Sequence, residues 1–168
     1  INYINNALIP CNTHHPNNII FLCCDAFGVL PAVSKLTLNQ AMYYFISGYT
    51  AKIPGTEMGV KEPIPTFSAC FGEAFIPCHP KVYAELLKKK IQEHKPNVWL
   101  INTGWIKGKY GSQNSQRCPL KYTRRIVKMI HSGELEKLET TKNNIFKLNY
   151  FNNIPGIPND ILDPPEAW

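Results

Sequence analysis

A chain of 168 residues, 44% hydrophobic and 18% charged, has the composition of one globular domain with a sizeable core, which excludes chain-wide disorder. Its best apolar run, NIIFLCC at 18–24, is strand-sized and well short of the roughly 18 residues of a membrane span, so no membrane partner is expected. The net charge of +6 is local: His94 to Gly133 contains no Asp or Glu but holds Lys95, Lys107, Lys109, Arg117, Lys121, Arg124, Arg125 and Lys128, leaving ten cations against twelve acids elsewhere.

In chain order, CNTHH at 11–15 offers Cys11, His14 and His15 as ligand types, but no second pair follows at zinc-finger spacing and no metal site is expected. NNIIFLCC at 17–24 is a β-branched and aromatic run of the kind buried in a parallel or mixed sheet. It ends at Asp25, either beside a ligand at a strand's carboxyl end or holding the turn DAFGVLP. TLNQAMYYFIS at 37–47 predicts a helix with a Thr37/Gln40 capping box and a stop at Gly48. Residues 48–66 then run without helical or alternating apolar pattern, and irregular loops of that length are usually lids or binding loops.

TFSACFGEAFI at 66–76 predicts a strand bent at Gly72. PKVYAELLKKKIQEH at 80–94 predicts a helix with Tyr83, Leu86, Leu87 and Ile91 on its apolar face. NVWLINTGW at 97–105 predicts a second buried strand, IKGKYGSQNSQR a polar loop, and PLKYTRRIVKMIHSG a helix with Thr123, Ile126, Val127 and Ile130 inward. Strands alternating with helices argue an α/β fold. The Asn- and Pro-rich tail, 134–168, reads as a wrapping segment rather than a second domain.

The basic window attracts phosphate, in a nucleotide or a nucleic acid, rather than a membrane, because no amphipathic basic helix with bulky aromatic insertion accompanies it. Cys11, Cys23, Cys24, Cys70, Cys78 and Cys118 have no regular spacing, and reduced thiols in a cytoplasmic protein are expected. The start at Ile1 without Met or a leader pattern, and the stop at Trp168 without an obvious terminal element, read as a piece of a longer protein.

Five stretches, FLCCDAFGVLPAVSKLT at 21–37, GYTAKIPGTEMG at 48–59, PTFSACFGEAF at 65–75, NTGW at 102–105 and LKYTRRI at 120–126, together resemble the carboxyl-terminal third of ATP-dependent phosphoenolpyruvate carboxykinase, in order and spacing over essentially the whole chain. The resemblance implies a gluconeogenic cytosolic lyase that decarboxylates oxaloacetate and phosphorylates the resulting enolate with ATP and divalent metal, Mg2+ and Mn2+. It implies one partial domain over 1–168, the carboxyl-terminal part of a nucleotide-binding domain with a mixed sheet and flanking helices. Oxaloacetate or phosphoenolpyruvate and ATP or ADP would be the partners, without nucleic acid; the oligomeric state is left open.

The family's lid corresponds to about 48–66, carrying Gly48, Gly55, Thr56, Glu57 and Gly59, and shields an enolate that water would otherwise protonate. Met58 stands where the family pattern GTERG has arginine, which removes any lid-closing contact of that arginine. The family's ATP-base pocket falls on Arg117, Cys118 and Thr123; a guanidinium stacks flat on adenine while its edge donates hydrogen bonds. Cys118 replaces the usual aliphatic residue, and Cys70 matches a thiol that lies close to the family's site, with no catalytic role assigned. The chain contains no G-x-x-x-x-G-K-[ST] phosphate loop, and the family's metal ligands and oxaloacetate-binding residues belong to earlier sequence, so no catalytic residue is expected within these 168. The alternative reading is a non-catalytic basic module that binds nucleic acid through the cations of 95–128.

Overall fold

The computed structural model describes residues 4, 5 and 7–162; residues 1–3, 6 and the last six of the expected tail lie outside the described residues. Two long apolar runs form the middle of the molecule. β1 (Asn18–Cys23) pairs in parallel with β5 (Asn97–Asn102), from Asn18 opposite Asn97 to Cys23 opposite Asn102. β2 (Val33–Lys35) pairs antiparallel on the other side of β5. With β8 (Thr140–Lys142) and β9 (Asn149–Phe151) the sheet is mixed, in the order β1-β5-β2-β9-β8, and the expected α/β architecture is present.

The alternation of β5 divides the core. Trp99 and Ile101 face α3 (Leu120–His131) through Ile126, Met129 and Ile130. Val98 and Leu100 face the other side, where Ala41 and Tyr44 of α1 (Leu38–Ser47) and Ile91 of α2 (Pro80–His94) cover them. Burial of β5 on both faces explains its continuous apolar sequence.

α1 begins with the expected reciprocal cap: Gln40 N donates to Thr37 Oγ1 at 3.4 Å, and Thr37 N donates to Gln40 Oε1 at 2.9 Å. It ends at Gly48 in the left-handed conformation, φ 54°. Its inward face on α2 differs from the periodicity reading: Ala84 and Ile91 are buried and Leu87 partly so, whereas Leu86 is exposed. The i, i+3, i+7 stripe runs through the small Ala84, which a count of bulky residues passes over.

Three segments depart from expectation. The stretch 48–66 is not wholly irregular: β3 (Tyr49–Lys52) pairs antiparallel with β4 (Ile64–Phe67), so the loop stands on a two-stranded stalk. Neither strand has a buried face, hence no alternation to read, and Pro65 sits in a strand that tolerates it only as an edge. Residues 66–76 are no bent strand: β4 stops at Phe67, and two single 3-10 turns follow, Ala69–Phe71 and Glu73–Phe75. The turn is fixed by Phe71, whose ring lies 5.5 Å from that of Phe21 in the core, and by Glu73 N donating to Ser68 Oγ at 3.2 Å. The tail does more than wrap. Its β8 (Thr140–Lys142) and β9 (Asn149–Phe151) extend the sheet beside β2, and Phe151, Ile154, Ile157, Ile161 and Leu162 are buried.

Candidate functional site

Two of the five quoted stretches meet where β1 and β5 end. Asp25 follows β1 and is fully buried. Its carboxylate accepts from Phe27 N at 2.9 Å, Val29 N at 2.6 Å, Leu30 N at 2.8 Å and the Tyr49 hydroxyl at 2.9 Å. Four donors saturate it, so Asp25 holds the turn and ties it to the root of the β3–β4 hairpin. Burial, then the carboxylate of Asp25, push the Tyr49 phenol well above its ordinary range and keep it a donor.

Beyond β5, NTGW makes the complementary half. Asn102, also fully buried, accepts from Asp25 N at 3.1 Å and Gly104 N at 2.8 Å, and donates to the carbonyls of Leu30 and Trp105. Gly104 is required because a Cβ there would run into the backbone N and O of Asp25. This close approach brings the chain from β5 across the end of β1.

The polar loop after NTGW closes as a short hairpin, in which β6 (Trp105–Ile106) pairs with β7 (Gln116–Arg117). Trp105 lies directly opposite Arg117. Arg117 Nε donates to Thr103 O at 3.1 Å, and Cys118 N donates to Gly104 O at 2.8 Å. Pro119 then starts α3, which places Thr123 in the first turn, its Oγ1 3.9 Å from Cys118 Sγ.

Thr103, Arg117, Cys118, Pro119, Leu120 and Thr123 line one open cavity of about 420 Å³. It has the size and lining of a small-molecule site: apolar surface with a few convergent polar groups. Burial raises the Cys118 thiol above its ordinary value, with the Thr123 hydroxyl opposing, so Cys118 presents a neutral, soft surface. A planar cation beside a neutral thiol and a hydroxyl offers a stacking face and hydrogen-bonding groups to a flat ring.

The geometry thus brings Arg117, Cys118 and Thr123 together and sets the other candidates elsewhere. Gly48 is at the root of the β3–β4 hairpin, where a Cβ would strike the carbonyl oxygen of Ser68. Gly55 and Gly59 take φ of 84° and 80° at its tip, with open space around them. The tip is organised by its own contacts: Thr56 Oγ1 donates to Ile53 O at 2.6 Å, and Glu57 pairs with Lys52 at 3.1 Å. Met58 is fully exposed. Cys70 does not line the cavity. It follows the hairpin in a left-handed conformation, φ 57°, with its thiol 3.7 Å from the Pro80 carbonyl oxygen, and partial burial raises its pKa.

Thr103, Asn102 and Trp105 are absent from the sequence-based site. NTGW at the carboxyl end of a strand parallel to its neighbour is the signal that points to them, since open α/β sheets gather ligands there. Of the rejected metal ligands, Cys11 is exposed and His15 stacks on His94 at 3.5 Å. Among the described residues no group of three or more His, Cys, Asp or Glu is arranged to hold a metal ion. All six cysteines are free, and no described helix is long and apolar enough to cross a membrane.

A family model described as phosphoenolpyruvate carboxykinase matches residues 1–160. The chain belongs to the phosphoenolpyruvate carboxykinase family. Among curated relatives, phosphoenolpyruvate carboxykinase (ATP) of Emericella nidulans is 52% identical over all of this chain and 28% of its own length. The Dictyostelium discoideum protein of the same name is 52% identical, with 30% of its length covered, and phosphoenolpyruvate carboxykinase (ATP) 1 of Arabidopsis thaliana is 55% identical, with 25% covered. The chain therefore spans between a quarter and a third of the carboxykinases it matches.

The position of Cys70 yields a prediction for the complete carboxykinase. Should the β3–β4 hairpin close over ligands as the resemblance implies, alkylation of Cys70 is expected to slow several-fold with ligands bound, followed by mass spectrometry of the peptide spanning Ser68 to Lys81. Equal rates with and without ligands would remove Cys70 from the site's neighbourhood.

Proposed function

We propose that this chain is the carboxyl-terminal part of an ATP-dependent phosphoenolpyruvate carboxykinase, which converts oxaloacetate and ATP to phosphoenolpyruvate, ADP and CO2 in gluconeogenesis. The observation that carries this reading is the gathering of Arg117, Cys118 and Thr123 around one cavity in a chain matched to the family over nearly its whole length. Arg117 stacks on the adenine, Thr123 and the backbone around Cys118 contact its edge, and the β3–β4 hairpin closes as the lid. Family membership and six free cysteines support a cytoplasmic protein.

The described residues fit the base of ATP and not its remaining parts. The cavity's volume and lining support a flat ring as its occupant, whereas the sequence has no phosphate loop and the described residues form no metal-ligand cluster. The resemblance places the ligands of Mg2+ and Mn2+ outside this chain, and no step of the reaction is assigned to a metal here. This chain binds and orients the base, and its hairpin excludes water from the enolate.

Two measurements test the reading. Phosphoryl transfer depends on positioning phosphates and metal, so the purified 168-residue chain is expected to show no oxaloacetate-dependent ATP turnover with Mg2+ and Mn2+. Turnover by this chain, free of contaminating enzyme, would contradict it. In the complete protein, ATP binding should exceed GTP binding and vary little with salt. A steep salt dependence with no base preference, and tight binding of a single-stranded oligonucleotide, would favour the nucleic-acid alternative.

A further inference from the structure

The Arg117 side chain leaves the β6–β7 hairpin fixed on two sides. Its Nε donates to Thr103 O at 3.1 Å, which sets the direction of the guanidinium edge. Its Cζ lies 5.7 Å from the Trp105 ring centroid, within cation–π range, and the two residues are directly opposed across the β6–β7 pair. Trp105 is only 8% exposed, whereas Arg117 is exposed and lines the cavity. The Arg117 side chain thus lies within cation–π range of the buried indole and also lines the cavity. Trp105 is itself held: the Tyr110 ring meets it edge-on at 5.4 Å, 87° between planes, and its backbone N donates to Asp25 O at 2.6 Å.

We infer that Trp105 is a positioning residue for the nucleotide base, acting through Arg117: the indole is the platform that keeps the guanidinium flat against a purine, giving a stack of indole, guanidinium and base. This rests on the base-pocket reading proposed above. Without the platform, an arginine on a two-residue strand samples many rotamers, and binding the base must then overcome that freedom. An arginine whose edge and face are both fixed has lost it in advance. Thr103 fixes the edge through its backbone, which substitution does not remove; Trp105 fixes the face through a side chain, and that contact can be tested.

The experiment is a double-substitution cycle in the complete enzyme, comparing Trp105→Leu, Arg117→Ala and both together. The readouts are the ATP constant, the ATP-over-GTP preference, kcat at saturating nucleotide, and the thermal midpoint. Trp105→Leu is expected to raise the ATP constant about five- to tenfold and to lower the base preference, with kcat within about twofold. In the Arg117→Ala background it should change neither constant nor preference further, because the residue it positions is gone. A fall in thermal midpoint is expected on either reading, since Trp105 is buried; a Trp105 that only fills core would lower kcat and act equally in both backgrounds, and that outcome overturns the inference. If Trp105→Leu does not fold, Trp105→Phe carries the test. Its smaller ring should raise the ATP constant two- to threefold in the wild-type background and not at all with Arg117→Ala; no rise, or an equal rise in both, overturns it. Should Arg117→Ala alone leave the constant and the base preference unchanged, it is the base-pocket reading that fails.

Discussion

Arg117→Ala in the complete enzyme is expected to raise the nucleotide constant between about fivefold and a hundredfold, the equivalent of losing a contact of roughly 1–3 kcal/mol. The side chain lines the cavity with Cys118 and Thr123, its edge is directed by Thr103 O, and no acidic partner competes for it among the ion pairs of the described residues. Its role is proposed for the base, remote from the bond being broken, so turnover at saturating nucleotide should fall less than affinity does. Discrimination of ATP from GTP should fall with affinity, since a stacked cation with directed N–H donors reads ring edges as well as ring faces. Steady-state kinetics with both nucleotides decide it. Unchanged constants and unchanged preference would reduce Arg117 to a surface cation on a hairpin.

The parts of this molecule that are legible in the sequence are those whose signal is buried and periodic. β5 is an unbroken apolar run because both its faces are covered, β1 reads as a strand through its β-branched and aromatic residues although Leu22 is exposed, and α1 and α2 carry their caps and stops in Thr37, Gln40, Gly48 and Pro80. What sequence reading misses is held by contacts without a period. The β3–β4 hairpin rests on main-chain pairing and half-exposed side chains, so 48–66 looks structureless although eight of its residues and their neighbours pair in register, from Tyr49 with Phe67 to Lys52 with Ile64. The strands Thr140–Lys142 and Asn149–Phe151 are three residues each, too short for alternation to stand out, and they exist because β2 offers an open edge.

The site divides the same way. Resemblance supplies Arg117, Cys118 and Thr123, which the geometry gathers, whereas Trp105 lies 12 residues before Arg117 and reaches it only through a hairpin that the sequence presents as a polar loop. Asn102 is hidden for a related reason: a polar residue at the end of an apolar strand looks like a boundary, when its amide bridges the ends of β1 and β5.

Asp25→Ala is expected to lower the stability of the complete enzyme by about 4 kcal/mol or more, a shift on the order of 10 °C in thermal midpoint if the domain melts as one unit. The carboxylate is fully buried and accepts from three backbone N–H groups and one phenol. Removing it leaves one buried and three part-buried donors without their acceptor, each costing up to about 1–3 kcal/mol where water does not replace it, and the cost is concentrated because the four share one acceptor. Asp25→Asn keeps the shape but sets an NH2 against N–H donors, so it should recover only part of the loss. Tyr49→Phe removes a single bond and leaves the turn intact, so its cost should stay near 1 kcal/mol. The ordering Ala, then Asn, then Phe in loss of thermal midpoint is therefore the outcome to measure. A further consequence concerns the hairpin, because Tyr49 is its first residue and Asp25 its anchor on the sheet. Tyr49→Phe should accordingly quicken amide exchange across β3 and β4 more than across β1 and β5. Uniform exchange in all four strands, or an Asp25→Ala enzyme as stable as wild type, would show that the turn stands without its carboxylate.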